Sequence, residues 1–267
     1  MADRAPSFAG SIPAQYDSKL VPMFFEPFAR EMATRLPASA MRVLETAAGT
    51  GVASPYLLHR LGPDASLVVT DLQDGMLEFA RARVGNDSRV EVRAADAMSL
   101  PLGDRSFDVV VCQFGLMFLP DPVAGLREAR RVLTTDGVLL LSTWASLADN
   151  PVSRTVHEVL AEGFPGDPPQ FLTRPYSMHD AAVVTDLMHE AGFGYVRSET
   201  IASTAESETA HHAATGLLFG TPLFTQLQER GATDLGELVE RAAVRLADAG
   251  GLAPMRLPMQ AIVFTAQ

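Results

Sequence analysis

The 267-residue chain carries 21 Lys+Arg against 32 Asp+Glu, a formal net charge of -11, with 47% hydrophobic and 20% charged residues. That is the composition of an ordinary globular protein, long enough to bury a large core. The acidic balance argues against a protein that grips nucleic acid or anionic membranes through a basic surface.

The lone cysteine, Cys112, rules out an internal disulfide and a cysteine-rich metal site, and fits a reducing compartment. The opening residues (Met1, Ala2, Asp3, Arg4, Ala5, Pro6, Ser7) lack a basic segment followed by an apolar run, so no secretory leader is expected. Apolar stretches such as 138–141 have the length of strands and not of membrane spans. A cytoplasmic protein without stable membrane insertion is the expectation.

In chain order, residues 1–40 hold Pro6, Pro13, Pro22, Pro27 and Pro37 around an apolar stretch at 20–28. Such proline spacing predicts an irregular arm with one helix near 26–36. Regular alternation starts at residue 41. A short apolar strand at 42–46 meets a glycine turn and then a helix over 52–61. A second strand at 66–70 is closed by Asp71. Asp74 is placed to cap a helix carrying Met76, Leu77, Ala80 and Val84 at helical spacing. The third strand, 90–94, leads to Asp96. The fourth, 107–114, is almost continuously apolar, as a strand buried on both faces requires. Asp121 and Pro122 open another helix through Leu126 and Ala129 to Leu133, and Asp136-Gly137 turns into a fifth strand at 138–144. Strands alternating with helices at this pitch predict a parallel sheet covered on both faces.

The second half reads as a helix over 152–162, a breaker-rich stretch at 164–169, and a capping box from Ser177 to Asp180 for a helix ended by Gly192. A sixth strand at 195–200 and a helical region at 210–228 follow. An amphipathic helix aligns Leu235, Leu238, Val239, Ala242 and Leu246 and stops at Gly250-Gly251. The alternating residues of a final strand at 260–265 make it a candidate sheet edge for a homodimer.

Three features couple. Glu45-Thr46-Ala47-Ala48-Gly49-Thr50-Gly51 joins the first strand to the first helix with small residues that let backbone approach a ligand. Asp71 ends the second strand, where a carboxylate can take the two hydroxyls of an adenosine ribose. Asp96-Ala97 ends the third, placed to flank an adenine. In a parallel sheet these ends share one edge, where ligands of such folds bind.

This set resembles the class I S-adenosylmethionine-dependent methyltransferases, and within them the small-molecule branch of ubiquinone and menaquinone biosynthesis. The resemblance covers roughly 41–145: residues 45–51 match the first motif, 71–77 the acidic loop, 96–101 the adenine loop, 106–114 the fourth strand, and 130–137 the approach to the fifth. It implies a Rossmann-like, doubly wound, seven-stranded, mostly parallel sheet with an antiparallel last strand, plus a helical cap from the N-terminal arm and C-terminal insertions. The implied organisation is an arm or lid at 1–40, a cofactor-binding core at 41–150, and a completing segment with cap insertions at 151–267, all in one domain.

By that likeness the cofactor is S-adenosylmethionine, its product S-adenosylhomocysteine, and no metal is needed. Glu45 would organise the glycine loop or reach the methionine amino group, while Gly49 and Gly51 let backbone pass the cofactor. Asp71 would hold the ribose diol, with Leu72 and Met76 beside the adenine. Asp96 would take the adenine amino group and the Ala97 amide a ring nitrogen. Gln113 would face the methionine part, and Tyr16 would close over the cofactor from the arm. One departure is Ala47, where the family usually has glycine; alanine fits there if its φ stays negative.

The partner expected is a small, largely apolar acceptor, such as a quinone, phenol or secondary metabolite, methylated on oxygen, carbon or nitrogen. Its walls would come from Val21, Met23, Phe24 and Phe25, from Leu116, Met117 and Phe118, from the segment after Trp144, and from Leu217, Leu218, Phe219 and Phe224. No residue is singled out as a general base. The glycine turn and Asp71 alone also permit a nicotinamide-dependent oxidoreductase, against which stand Glu45, Asp96-Ala97 and the incomplete glycine pattern. A sulfonium-cofactor protein without methyl transfer is the third reading. His211 and His212, adjacent on a helix, point about 100° apart and make a poor metal pair. His157, His179 and His189 are expected on solvated helix faces, and Cys112 in the core.

Overall fold

Short β-branched and apolar runs, separated by glycine and proline breaks, fold into seven strands of one sheet. A computed structural model describes Phe8 and residues 10–267. The strands are β1 (Arg42–Glu45), β2 (Ser66–Asp71), β3 (Val90–Ala94), β4 (Phe107–Gln113), β5 (Leu133–Trp144), β6 (Val196–Ser207) and β7 (Met255–Ala266). Their spatial order is β3-β2-β1-β4-β5-β7-β6. The first five pair in parallel, and β7 runs antiparallel to both β5 and β6. The Rossmann-like mixed sheet expected from the sequence is therefore what forms. The final strand is not an edge, however: β7 lies between β5 and β6, and the edges are β3 and β6.

Alternation along the strands sorts the core into two faces. On one face Val43, Leu67, Val69, Val109 and Val111 meet α3 (Ser54–Arg60), α4 (Asp74–Val84) and α2 (Glu26–Thr34). On the other, Leu44, Val110, Leu139 and Leu141 meet α5 (Pro122–Val132) and α7 (Ala181–Glu190). Asp121 caps α5, its Oδ1 accepting from the Ala124 N–H at 2.9 Å. Asp74 does not cap α4; it is the first helical residue, and Gln73 holds the cap position. Asp180, expected at the far end of a capping box, is itself the cap of α7 and accepts from the Ala182 N–H.

The arm differs most from its sequence reading. It is helical from Ile12 to Thr34: α1 (Ile12–Gln15), a π-helical stretch (Tyr16–Phe25), then α2. Pro13 stands in the first turn, where a missing N–H costs nothing, Pro22 falls inside the wider π coil, and Pro27 follows the junction at which the π coil passes into α2. Above β4, β5 and β7 a third apolar cluster joins the arm (Leu20, Phe24, Phe28) to α6 (Pro151–Gly163), α8 (Ala210–Phe219), α9 (Leu223–Glu229) and α10 (Leu235–Gly250). A 3-10 turn, Phe171–Tyr176, belongs to the same cluster.

Among the described residues no helix is long and apolar enough to cross a membrane, and no group of three His, Cys, Asp or Glu side chains could hold a metal ion. His179 and His189 are exposed, as expected, while His157 is half-buried. His189 Nδ1 lies 2.9 Å from the Phe193 carbonyl oxygen, and His179, on a loop, sits 2.8 Å from that of Tyr176. His157 has a buried Nδ1. Cys112 is buried, as its place in β4 requires.

Candidate active site

Where β1 ends, the chain turns through Ala47, Gly49 and Gly51 with φ of 50°, 57° and 72°. Glycine adopts this left-handed conformation freely; alanine does so at a cost of roughly 1 kcal/mol or more. Ala47 therefore holds the conformation that its sequence reading denied it. The loop around it over-determines the geometry. The Ala48 N–H donates to the Thr70 carbonyl and the Gly51 N–H to the Ala48 carbonyl, both at 2.9 Å. The Gly49 N–H donates to Asp71 Oδ2 at 2.8 Å.

These bonds decide what the loop can hold. A phosphate-binding turn offers its N–H groups outward to an anion; here three of them are already engaged inside the protein. Asp71 Oδ1 also accepts the Gln73 N–H at 2.8 Å. Each carboxylate oxygen has a second lone-pair direction, so the group can accept from a ligand as well. Burial raises the Asp71 carboxyl above its usual range, against the pull of these backbone donors.

Glu45, at the end of β1, is 1% exposed and accepts from Ser54 Oγ at 2.5 Å. Burial, with Asp71 nearby, pushes its pKa up to about 7. Gln113, at the end of β4, donates its amide to the Phe25 carbonyl at 3.1 Å, which leaves its buried Oε1 without a partner. Asp96 accepts the Met98 N–H at 2.8 Å, closing the turn after β3 as a plain capping acid also would.

Every cofactor-site residue singled out in the sequence except Gly51 lines one cavity of about 570 Å³: Tyr16, Glu45, Ala47, Gly49, Asp71, Leu72, Met76, Asp96, Ala97 and Gln113. Gly51 serves packing instead, since a Cβ there would fall 2.8 Å from the Ala80 Cβ on α4. The polar end of the cavity is built of acceptors, and among the described residues no Lys, Arg or His lines it. Such a lining suits a ligand bearing positive charge, hydroxyls and amino groups, and disfavours a pyrophosphate.

The other end is aromatic. Phe24, Phe25, Phe118 and Leu217 line it as expected, and Trp144 itself lines it where the segment after it was expected, whereas Val21, Met23, Leu116, Met117 and Leu218 are buried in the core and Phe219 pairs with Phe224 away from the cavity. Phe114 and Trp144 stack at 3.9 Å with planes 5° apart. Sequence reasoning missed Phe171, Tyr176, Ser153 and Thr221, which complete this wall. The aromatic run beside the breaker-rich 164–169 stretch was the available signal. It also missed Arg83, which donates Nε to the Thr50 carbonyl at 3.1 Å and pairs with Asp17 on the arm, so that loop and arm are tied together.

Comparison with known proteins bears on residues 44–141, which match a methyltransferase domain family and contain the glycine loop, Asp71, Asp96 and Gln113. Those residues make up an S-adenosylmethionine-dependent methyltransferase domain of the class I type. It is 40% identical over 110 residues to demethylmenaquinone methyltransferase of Clavibacter sepedonicus, a match spanning 41% of this chain and 44% of that one. A ubiquinone/menaquinone biosynthesis C-methyltransferase of Shewanella oneidensis is 29% identical over 215 residues, covering 73% of this chain and 84% of its own length. A Bacillus halodurans structure described as a methyltransferase superposes with a TM-score of 0.57 at 19% identity, over 91% and 97% of the two chains; at that identity the likeness is one of fold. A domain of this type implies S-adenosylmethionine as cofactor, and the acceptor-lined end of the cavity fits a cationic sulfonium that carries an adenosine.

Proposed function

We propose that this methyltransferase acts on a small, largely apolar acceptor of the quinol or phenol class, at a ring carbon. The observation that carries this reading is the division of one cavity into an acceptor-lined end and an aromatic end. The C-methyltransferase of quinone biosynthesis among its relatives supports the choice of acceptor and atom.

In this reading Asp71 takes the ribose diol, Asp96 and the Ala97 amide the adenine edge, and Leu72 and Met76 its faces. Glu45 and the free Gln113 Oε1 face the methionine ammonium, and Tyr16 covers the cofactor from the arm. When bound, the cofactor supplies an electrophilic methyl group on a sulfonium. The protein's contribution is alignment and the exclusion of water, which can supply much of the rate when reacting atoms are held in line. The aromatic wall keeps the acceptor ring dry, and Gln113, bonded to the Phe25 carbonyl, ties the strand end to the lid.

The engaged N–H groups of the glycine loop and the absence of a lining cation count against a nicotinamide dinucleotide. Calorimetry separates the two: micromolar binding of S-adenosylhomocysteine with none of NADH is expected, and the reverse would overturn the reading. Incubation with methyl-labelled cofactor and a panel of reduced naphthoquinones, phenols and amines tests the acceptor. Label on a ring carbon of the quinols or phenols is expected; label on amines alone would refute it.

A further inference from the structure

The aromatic end of the cavity holds one polar pair that no part of the cofactor reading uses. The Tyr176 hydroxyl, at the end of the 3-10 turn, donates to Ser153 Oγ on α6 at 2.7 Å. Both residues line the cavity and both are buried, with 6% and 3% of their surfaces exposed. The Tyr176 ring sits 6.2 Å from that of Trp144. Hydroxyls in an apolar wall cost free energy unless they are bonded, and a Phe–Ala pair would fill similar space without that cost. Burial raises the Tyr176 phenol far above its ordinary range, so it keeps its proton throughout the working pH range.

With Tyr176 donating, the Ser153 oxygen is occupied and its proton remains to be given. A helical serine commonly returns that proton to the carbonyl one turn back. Here, among the described residues, no acceptor takes it. The cavity is the direction left open.

We propose that Ser153, held as a donor by Tyr176, hydrogen-bonds a ring oxygen of the acceptor and thereby sorts oxygenated rings from bare ones. This rests on the acceptor reading above and adds the residue pair that reads the oxygen. Ser153 is the positioning group that touches the acceptor, and Tyr176 acts through it. A ring registered by one oxygen inside an otherwise greasy slot presents a defined carbon to the cofactor end. A ring without that oxygen can rotate freely.

The test uses the full chain and its single tryptophan, Trp144, which lies in the cavity wall. Quenching of Trp144 reports binding of 1,4-naphthoquinone, and displacement of the quinone reports binding of naphthalene. In Ser153→Ala the quinone should bind roughly tenfold more weakly, the scale of one buried hydrogen bond, while naphthalene is unchanged. Tyr176→Phe should give a smaller loss of the same sign. Equal weakening of both ligands, or no change in the quinone, would overturn the pair's role while sparing the apolar acceptor. Failure of the unaltered chain to bind either ring would overturn the acceptor reading and the pair with it.

Discussion

The methyl group of Ala47 occupies the space in front of Gly115: a Cβ built on Gly115 would stand 2.5 Å from the Ala47 Cβ. The glycine that the family's motif usually carries at position 47 is absent, and the bare backbone of Gly115 accommodates the methyl. Cys112 Sγ closes the same space, at 2.9 Å.

Replacing Ala47 with glycine should stabilise the protein by about 1 kcal/mol, because a left-handed residue loses its Cβ conflict. Gly115→Ala should cost about 1–3 kcal/mol by overpacking. In the Ala47→Gly background that cost should shrink without vanishing, since Cys112 still crowds the site. Denaturant unfolding of the four proteins in a double-mutant cycle gives the coupling; strict additivity would refute the contact.

The raised pKa of Glu45 gives the cofactor-free protein a pH signature. An unfolded glutamate releases its proton near its ordinary value of 4.5, whereas the folded one keeps it up to about 7. Between those values the folded state binds more protons, so stability falls as pH rises. The contribution is fully present below the lower value and lost through the upper one, on the order of 3 kcal/mol in all. Unfolding measured at pH 5 and pH 8 should show this loss, and Glu45→Gln should flatten it. A cationic ligand favours the carboxylate, so binding of S-adenosylmethionine below pH 7 should release protons, measurable by calorimetry in buffers of different ionisation heat.

Asp71→Ala should weaken S-adenosylhomocysteine by roughly 1.5–3 kcal/mol, the value of a charge-assisted hydrogen bond. It also deprives the Gly49 and Gln73 N–H groups of their acceptor. Asp71→Asn, which retains one acceptor oxygen, should fall between the two. Unchanged affinity in Asp71→Ala would remove this residue from the site.

The Arg83–Asp17 pair links the Thr50 carbonyl to the arm. Its side chains are 29% and 24% exposed, so its worth is modest, below about 1 kcal/mol, and sensitive to salt. Asp17→Ala should speed release of S-adenosylhomocysteine a few-fold in stopped flow, with the gap to the unaltered protein closing at high salt. Identical release rates at low salt would show that the pair does not hold the lid.

The core was legible because its rules are local. Apolar runs, glycine turns and Asp caps carry the strand–helix alternation, and the coupled Glu45, Asp71 and Asp96 point to one sheet edge whatever else surrounds them. The arm was not. Pro22 reads as a breaker because propensity describes an α-helix, whereas the chain adopts the wider π coil under tertiary contact with β6 and α8. The conformation of Ala47 was missed for a related reason, since its sterics are decided by Gly115, far off in sequence. The acceptor wall was half seen. Apolar composition marks Leu217 and Phe24 as wall residues, but nothing local brings Tyr176 onto Ser153 from separate elements.

The burial of β7 between β5 and β6 imposes an order in time. β6 pairs along its whole length with β7 and makes no other strand pairing, so its place in the sheet stays undefined until Met255–Ala266 has been synthesised. The five parallel strands can assemble as the chain emerges, and β6, with the helix behind it that brings Leu217 to the cavity, must wait. A ribosome stalled just before β7 would hold a formed parallel sheet whose cavity still lacks the wall that Leu217 and Thr221 supply.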